Sequence, residues 1–201
     1  MKKIIFIILL LSDFSFAGDI KDFIVNVQVE NVVNNKTVLY NGTGVIASYK
    51  DKVFILSAKH LMENTAKDIF IWQGSIRIIP KYTIKSKTHD FIIIFSDQLK
   101  YGLPLEDNIR PNLQCLAVGF GYKSGYVVMP CKTIGIFLSV TDNYSSYIKT
   151  DCKLEHGMSG GALLCNNKVI GINSFVTVQK PIVGIHMPAN YIIEILNKIK
   201  N

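Results

Sequence analysis

Residues 157–161, Gly157-Met158-Ser159-Gly160-Gly161, set a serine among glycines ahead of an apolar run, Ala162-Leu163-Leu164. Glycine on both sides lets the backbone turn sharply and come close to a ligand. Such a turn can expose the hydroxyl while several backbone N–H groups converge on one point. That is the equipment of acyl transfer, a nucleophile beside a site for a developing oxyanion. An ordinary loop can carry the same five residues, so the partners decide between the two.

A serine hydroxyl needs a base, and the chain offers His60, His89, His156 and His186. His60 ends the run Phe54-Ile55-Leu56-Ser57-Ala58-Lys59-His60, a buried strand followed by small residues, which is a rigid mount for a base. Asp90 precedes Phe91-Ile92-Ile93-Ile94-Phe95, the most apolar run beyond the first residues. A carboxylate abutting a buried strand is costly unless paired. Taken singly, His60 also reads as a packed or surface histidine and Asp90 as an ordinary strand start. Taken in chain order, His60, Asp90 and Ser159 read as base, orienting acid and nucleophile.

The elements that must position them are short. Runs rich in Val, Ile, Phe and Tyr recur at 23–29, 53–57, 69–72, 76–79, 91–95, 115–118, 126–129, 146–149, 161–165, 169–174 and 182–185, several with period two. Asn166-Asn167 separates two of them as a tight hairpin turn. One helix is expected, at 189–200, where Tyr191, Ile192, Ile195, Leu196 and Ile199 share a stripe. The pattern predicts an all-β sandwich or pair of barrels. The polar stretch 99–112, with Pro104 and Pro111, is the expected connector between two lobes.

The first 17 residues read as a secretory signal: Lys2 and Lys3, an apolar core from Ile4 to Leu11, and Ser15-Phe16-Ala17 ahead of a cut before Gly18. The apolar run is too short for a comfortable bilayer span, so an exported protein, periplasmic or secreted, is expected. The four cysteines, Cys115, Cys131, Cys152 and Cys165, then suggest two disulfides in any of three pairings, and no CxxC spacing marks a metal site. The formal charge of +7 is spread along the chain without the basic–aromatic clusters of a nucleic-acid face.

These motifs together resemble the trypsin/chymotrypsin-like serine protease superfamily, and small exported bacterial members in particular. Ser57-Ala58-Lys59-His60 resembles its Ala-Ala-His segment, His89-Asp90-Phe91-Ile92-Ile93 its Asp-Ile-Ala-Leu strand, and residues 157–161 its Gly-Asp-Ser-Gly-Gly. Gly42-Thr43-Gly44 resembles the Gly-x-Gly strand before the histidine, residues 169–175 the strand lining the substrate cleft, and 184–195 the last strand and helix. The resemblance implies two six-stranded antiparallel β-barrels, at about 18–100 and 112–188, with the active site between them and a C-terminal helix. It implies an endopeptidase in which Ser159 attacks, His60 moves the proton, Asp90 orients His60, and the N–H groups of Gly157 and Ser159 hold the oxyanion. A catalytically silent binding module on the same fold is the alternative.

Further expectations follow from the resemblance. Cys115-Leu116-Ala117-Val118-Gly119-Phe120-Gly121 resembles the family's Cys-x-x-x-Gly-Trp-Gly strand, whose cysteine pairs with one placed like Cys165, leaving Cys131–Cys152 as the second bridge. Met158 stands where animal-type members carry an aspartate that receives a newly cut N-terminal amine, which implies a loop organised by local packing. Lys153, Leu154, Ser174, Val176, Gly184 and His186 align near the specificity pocket. Lys153 or His186 within it would favour an acidic side chain, whereas Lys153 in solvent and His186 packed in a strand would not. No metal, cofactor, nucleic acid or lasting membrane span is expected, no PDZ domain follows the helix, and the partners are peptide substrates of a monomer.

Overall fold

The computed structural model describes residues 19–62, 66–139, 145–177 and 182–199, so the expected signal at 1–17 lies outside the described residues. The first lobe comprises β1 (Ile24–Val33), β2 (Lys36–Tyr49), β3 (Lys52–Ser57), β4 (Ala66–Gln73), β5 (Ile76–Ile78), β6 (Tyr82–Lys85), β7 (Ile92–Phe95) and the two-residue β8 (Leu103–Pro104). Its strands run in the order β5-β4-β1-β2-β3-β7-β6, with β8 parallel to β2. The second lobe comprises β9 (Gln114–Gly121), β10 (Gly125–Ser139), β11 (Ser145–Thr150), β12 (Ala162–Cys165), β13 (Lys168–Val176) and β14 (Gly184–Pro188). These close into a barrel in the order β10-β11-β14-β13-β12-β9. The chymotrypsin-type architecture is therefore present, with one difference: the first lobe is an open half-barrel rather than six closed strands. Its end strands are short, and Pro80 between them has no N–H to donate.

Local chemistry explains the elements. In β7 all four residues are buried, because its two faces serve different cores. Ile92 and Ile94 join Val25, Val27 and Ile55 inside the first lobe, while Ile93 and the flanking Phe91 and Phe95 join Phe54, Leu56 and residues of the second lobe. This second cluster also takes in Val118, Ala162, Ile172 and Met187, so apolar packing is continuous across the two lobes. The helix α1 (Ala189–Lys198) adds Ala189, Ile192 and Leu196 to it, following the expected stripe, and ends where Ile199 turns extended. Asn166 and Asn167 both take positive φ (52° and 59°), a type I′ turn joining β12 to β13. The connector 99–112 lies against both lobes: Leu103 pairs with Ala47, and Leu105 bridges to Val169. No helix among the described residues is long and apolar enough to cross a membrane.

The cysteines correct one expectation. Cys115 and Cys165 are bonded, but Cys131 and Cys152 are separate buried thiols. Cys131 sits opposite Cys115 in the β9–β10 register, and the Cys152 sulfur is engaged by Thr150 Oγ1 at 2.9 Å. The hydrogen bond from Cys131 lowers the pKa of Cys152 despite burial, and the same bond raises that of Cys131. Protein unfolded without reductant is therefore expected to titrate two thiols per chain, where a Cys131–Cys152 bridge would leave none. Opening the Cys115–Cys165 bridge, which joins residues 50 apart, is expected to cost about 4 kcal/mol in denaturant unfolding.

Candidate active site

His60 follows β3 on a single 3-10 turn, Lys59–Leu61, so a strand buried at its C-terminal end delivers the imidazole to the surface. Asp90 ends a bend tied on itself: the His89 N–H donates to Ser86 Oγ and the Ser86 N–H to the Phe91 carbonyl. The carboxylate grips His60 twice, through Oδ1 to the backbone N–H and through Oδ2 to ring Nδ1, both at 2.8 Å. A donated Nδ1–H leaves Nε2 as the acceptor, the tautomer a general base requires. The Ser174 hydroxyl donates to the same Oδ2 at 2.5 Å. Burial opposes charge on Asp90, but the His60 ring, the Ser174 hydroxyl and the His60 N–H together hold its pKa below the ordinary value.

Ser159 lies between β11 and β12 in a loop that two glycines make possible. Gly157 (φ 95°) and Gly160 (φ 85°) occupy the left-handed region, and a side chain on Gly160 would collide with the Thr43 carbonyl. From Glu155 to Ser159 every carbonyl accepts a hydrogen bond. The Glu155 carbonyl accepts from Met158 N–H (3.1 Å), and that of His156 from Tyr122 N–H (2.7 Å). The Gly157 carbonyl accepts from Thr43 Oγ1 at 2.8 Å. The Met158 carbonyl accepts from Gly161 N–H (2.9 Å) and Asn173 Nδ2 (3.2 Å), and that of Ser159 from Thr43 N–H (2.8 Å). A trans peptide directs N–H opposite to C=O. The Gly157 N–H therefore points away from the Tyr122 N–H that holds the His156 carbonyl, and the Ser159 N–H away from Asn173 Nδ2. Met158 itself is fully buried among Ala117, Leu163 and the cysteines.

His60 and Ser159 share one cleft of about 420 Å³, whose walls include Leu154, His156, Phe175 and Val176. The Ser159 hydroxyl donates to the Ser174 carbonyl at 3.3 Å. Of the residues aligned near the specificity pocket, Leu154, Ser174 and Val176 line this cleft, and Ser174 also braces Asp90. Lys153 is exposed and not part of the lining. His186 is fully buried in β14, between Thr150 Oγ1 and Asn173 Oδ1, with Gly184 packed above it. Two residues of the site escaped sequence reasoning, Thr43 and Asn173. The signals were there: a threonine clasped by Gly42 and Gly44, and a lone amide in the apolar run 169–175.

Comparison with known proteins identifies the family. A probable do-like serine protease of Buchnera aphidicola is 29% identical over 149 residues, 67% of this chain, and the chain spans only 30% of that relative's length. The active form of the Rv3671c protease of M. tuberculosis superposes with a TM-score of 0.75 at 17% identity, over 90% of this chain and 82% of that one. The HtrA-type protease AlgW with a tripeptide gives 0.73 at 22% identity, over 89% of this chain and 60% of that one. The family model described as Trypsin matches residues 21–195, nearly all of the described chain, and the chain belongs to that family.

Proposed function

We propose that this chain is an exported serine endopeptidase that works by covalent acyl transfer. The observation that carries the reading is the His60–Asp90 pair, closed through Nδ1 at 2.8 Å, in one cleft with Ser159. For attack, the Ser159 hydroxyl swings from the Ser174 carbonyl to His60 Nε2. Its oxygen bonds to the peptide carbonyl carbon as its proton passes to Nε2. The oxyanion sits between the outward N–H groups of Gly157 and Ser159. Collapse of this intermediate breaks the C–N bond, and the imidazolium returns the proton to the leaving amine. Water, deprotonated by the same Nε2, then releases the acid and regenerates Ser159. Asp90 stays ionised throughout, since its partners favour the charged form. The basic start, apolar core and Ser15-Phe16-Ala17 of the leader support export.

The cleft chemistry supports an apolar side chain before the cut bond. Leu154, Phe175 and Val176 contribute its walls, while the cations considered for an acidic pocket stand elsewhere: Lys153 is exposed outside the lining and His186 is buried. Glu155, at the same cleft, is hydrogen-bonded to Ser124 Oγ at 2.7 Å and adds negative charge, not positive.

Three outcomes are expected. Ser159→Ala and His60→Ala remove casein and peptide hydrolysis, and Asp90→Asn lowers kcat by about 10⁴; undiminished turnover by Ser159→Ala would sink the reading. A peptide library is expected to be cut after Ala, Val or Leu, and enrichment of Asp or Glu before the cut would contradict the apolar pocket. The third concerns stability against pH. A carboxylate with a lowered native pKa contributes stability above its unfolded value, near pH 4, and loses it as the pH falls through the native value. Asp90→Asn is therefore expected to be about 1–3 kcal/mol less stable than the parent at pH 7 by urea unfolding, the gap shrinking on acidification below pH 4.

A further inference from the structure

We propose that Asn173, with its amide oriented by His186 and Thr150, is the positioning residue for the Ser159 half of the oxyanion site. The inference rests on the acyl-transfer reading of the same loop. Asn173 lies in β13, a strand of otherwise apolar residues from Val169 to Ile172, and is fully buried. A buried amide is costly unless each of its polar atoms is matched. Here each one is. Both Nδ2 hydrogens are used, one on the Val118 carbonyl (3.1 Å) and one on the Met158 carbonyl (3.2 Å). Oδ1 faces His186 Nδ1 at 3.0 Å, and His186 Nε2 faces Thr150 Oγ1 at 2.8 Å.

This chain of side chains has one polarity. The two carbonyls can only accept, so Nδ2 must face them and Oδ1 must accept from a His186 Nδ1–H. With the ring proton on Nδ1, Nε2 accepts from the Thr150 hydroxyl. His186 thus fixes which way the Asn173 amide points, and a flipped amide would set Oδ1 against two carbonyl oxygens. The backbone of Asn173 clasps the same loop, donating to the Gly161 carbonyl and accepting from Gly160 N–H, both at 2.7 Å.

The consequence falls on a single peptide. The Met158 carbonyl and the Ser159 N–H belong to the same plane, so whatever holds the first aims the second. The other donor to that carbonyl is Gly161 N–H, from within the same turn. Asn173 Nδ2 is the donor that ties this peptide to the barrel wall. Without it, the Ser159 N–H loses its fixed direction while the substrate walls, Leu154, Phe175 and Val176, stay as they are.

The test compares Asn173→Asp, His186→Leu and His186→Asn with the parent protein. Asn173→Asp keeps the acceptor for His186 and replaces the Nδ2 donor by an oxygen. His186→Leu removes the orienting donor, whereas His186→Asn keeps an N–H near the Nδ1 position. The expected result is a kcat lower by about 10² for Asn173→Asp and by about tenfold for His186→Leu, with KM within about threefold, and His186→Asn within about threefold of the parent in both. Binding of a peptide boronic acid, whose tetrahedral adduct fills the anion site, should weaken in step with kcat. Amide hydrogen exchange over residues 155–161 should quicken in Asn173→Asp and His186→Leu but not in His186→Asn. Unchanged kcat, a loss confined to KM, or unchanged loop exchange in both His186→Leu and Asn173→Asp would overturn the proposal. If Asn173→Asp fails to fold, the two His186 variants decide it. If the parent cleaves nothing, the acyl-transfer reading fails, and loop exchange still tests the anchoring by Asn173.

Discussion

The anchoring of consecutive carbonyls from Glu155 to Ser159 is the constraint on which the rest of the site depends. A planar peptide has no freedom to turn its N–H without turning its C=O, so each tied carbonyl fixes the direction of the N–H in its own peptide, here those of Gly157 and Ser159. The ties come from separate elements: Tyr122 at the β9–β10 turn, Thr43 on β2 and Asn173 on β13. Thr43 carries the largest share. Its N–H holds the Ser159 carbonyl, its hydroxyl donates to Gly157 and accepts from Phe120 N–H, and its carbonyl accepts from Ser57 Oγ. One buried residue of the first lobe thereby fixes the Ser159 loop of the second. The apolar cluster that runs through both lobes keeps that register.

Met158 shows how such a loop is stabilised without an ion pair. An aspartate at this place would need a cation to be buried with it, whereas the thioether packs against Ala117, Leu163 and the cysteines with no charge to compensate. Its sulfur also lies 3.4 Å from the Glu155 N–H. Local packing and the carbonyl ties define the turn. Asp90 follows a different rule: it remains charged because His60 and Ser174 repay its desolvation within one compact cluster.

Much of this was legible in the chain. His60, Asp90 and Ser159 each stand at the edge of an apolar run, where a polar residue is conspicuous, and each is at the end of a buried strand or loop. The helix stripe and the Asn166-Asn167 turn follow from periodicity and from positive φ. What the pattern concealed has physical reasons. The first half of β2 is exposed on both faces, so no alternation marks it, and its pairing with β1 supplies the order instead. His186 faces a polar network inside the barrel, and linear spacing cannot say which side of a strand a histidine takes. Cys131 and Cys152 remain separate thiols, and the Cys152 sulfur is hydrogen-bonded with Thr150 Oγ1 instead. Asn173 and Thr43 act through contacts with residues far away in sequence, which only the folded chain brings together.

The proposed mechanism stands or falls on Ser159 being an activated nucleophile beside a formed anion site. A fluorophosphonate probe with peptide mapping by mass spectrometry addresses it most directly, because the probe needs the activated hydroxyl and the N–H groups that hold the phosphoryl oxygen. Stoichiometric modification of Ser159 alone is expected, lost when His60 is replaced by alanine. An unmodified Ser159 in the folded parent protein, or labelling that persists without His60, would contradict it.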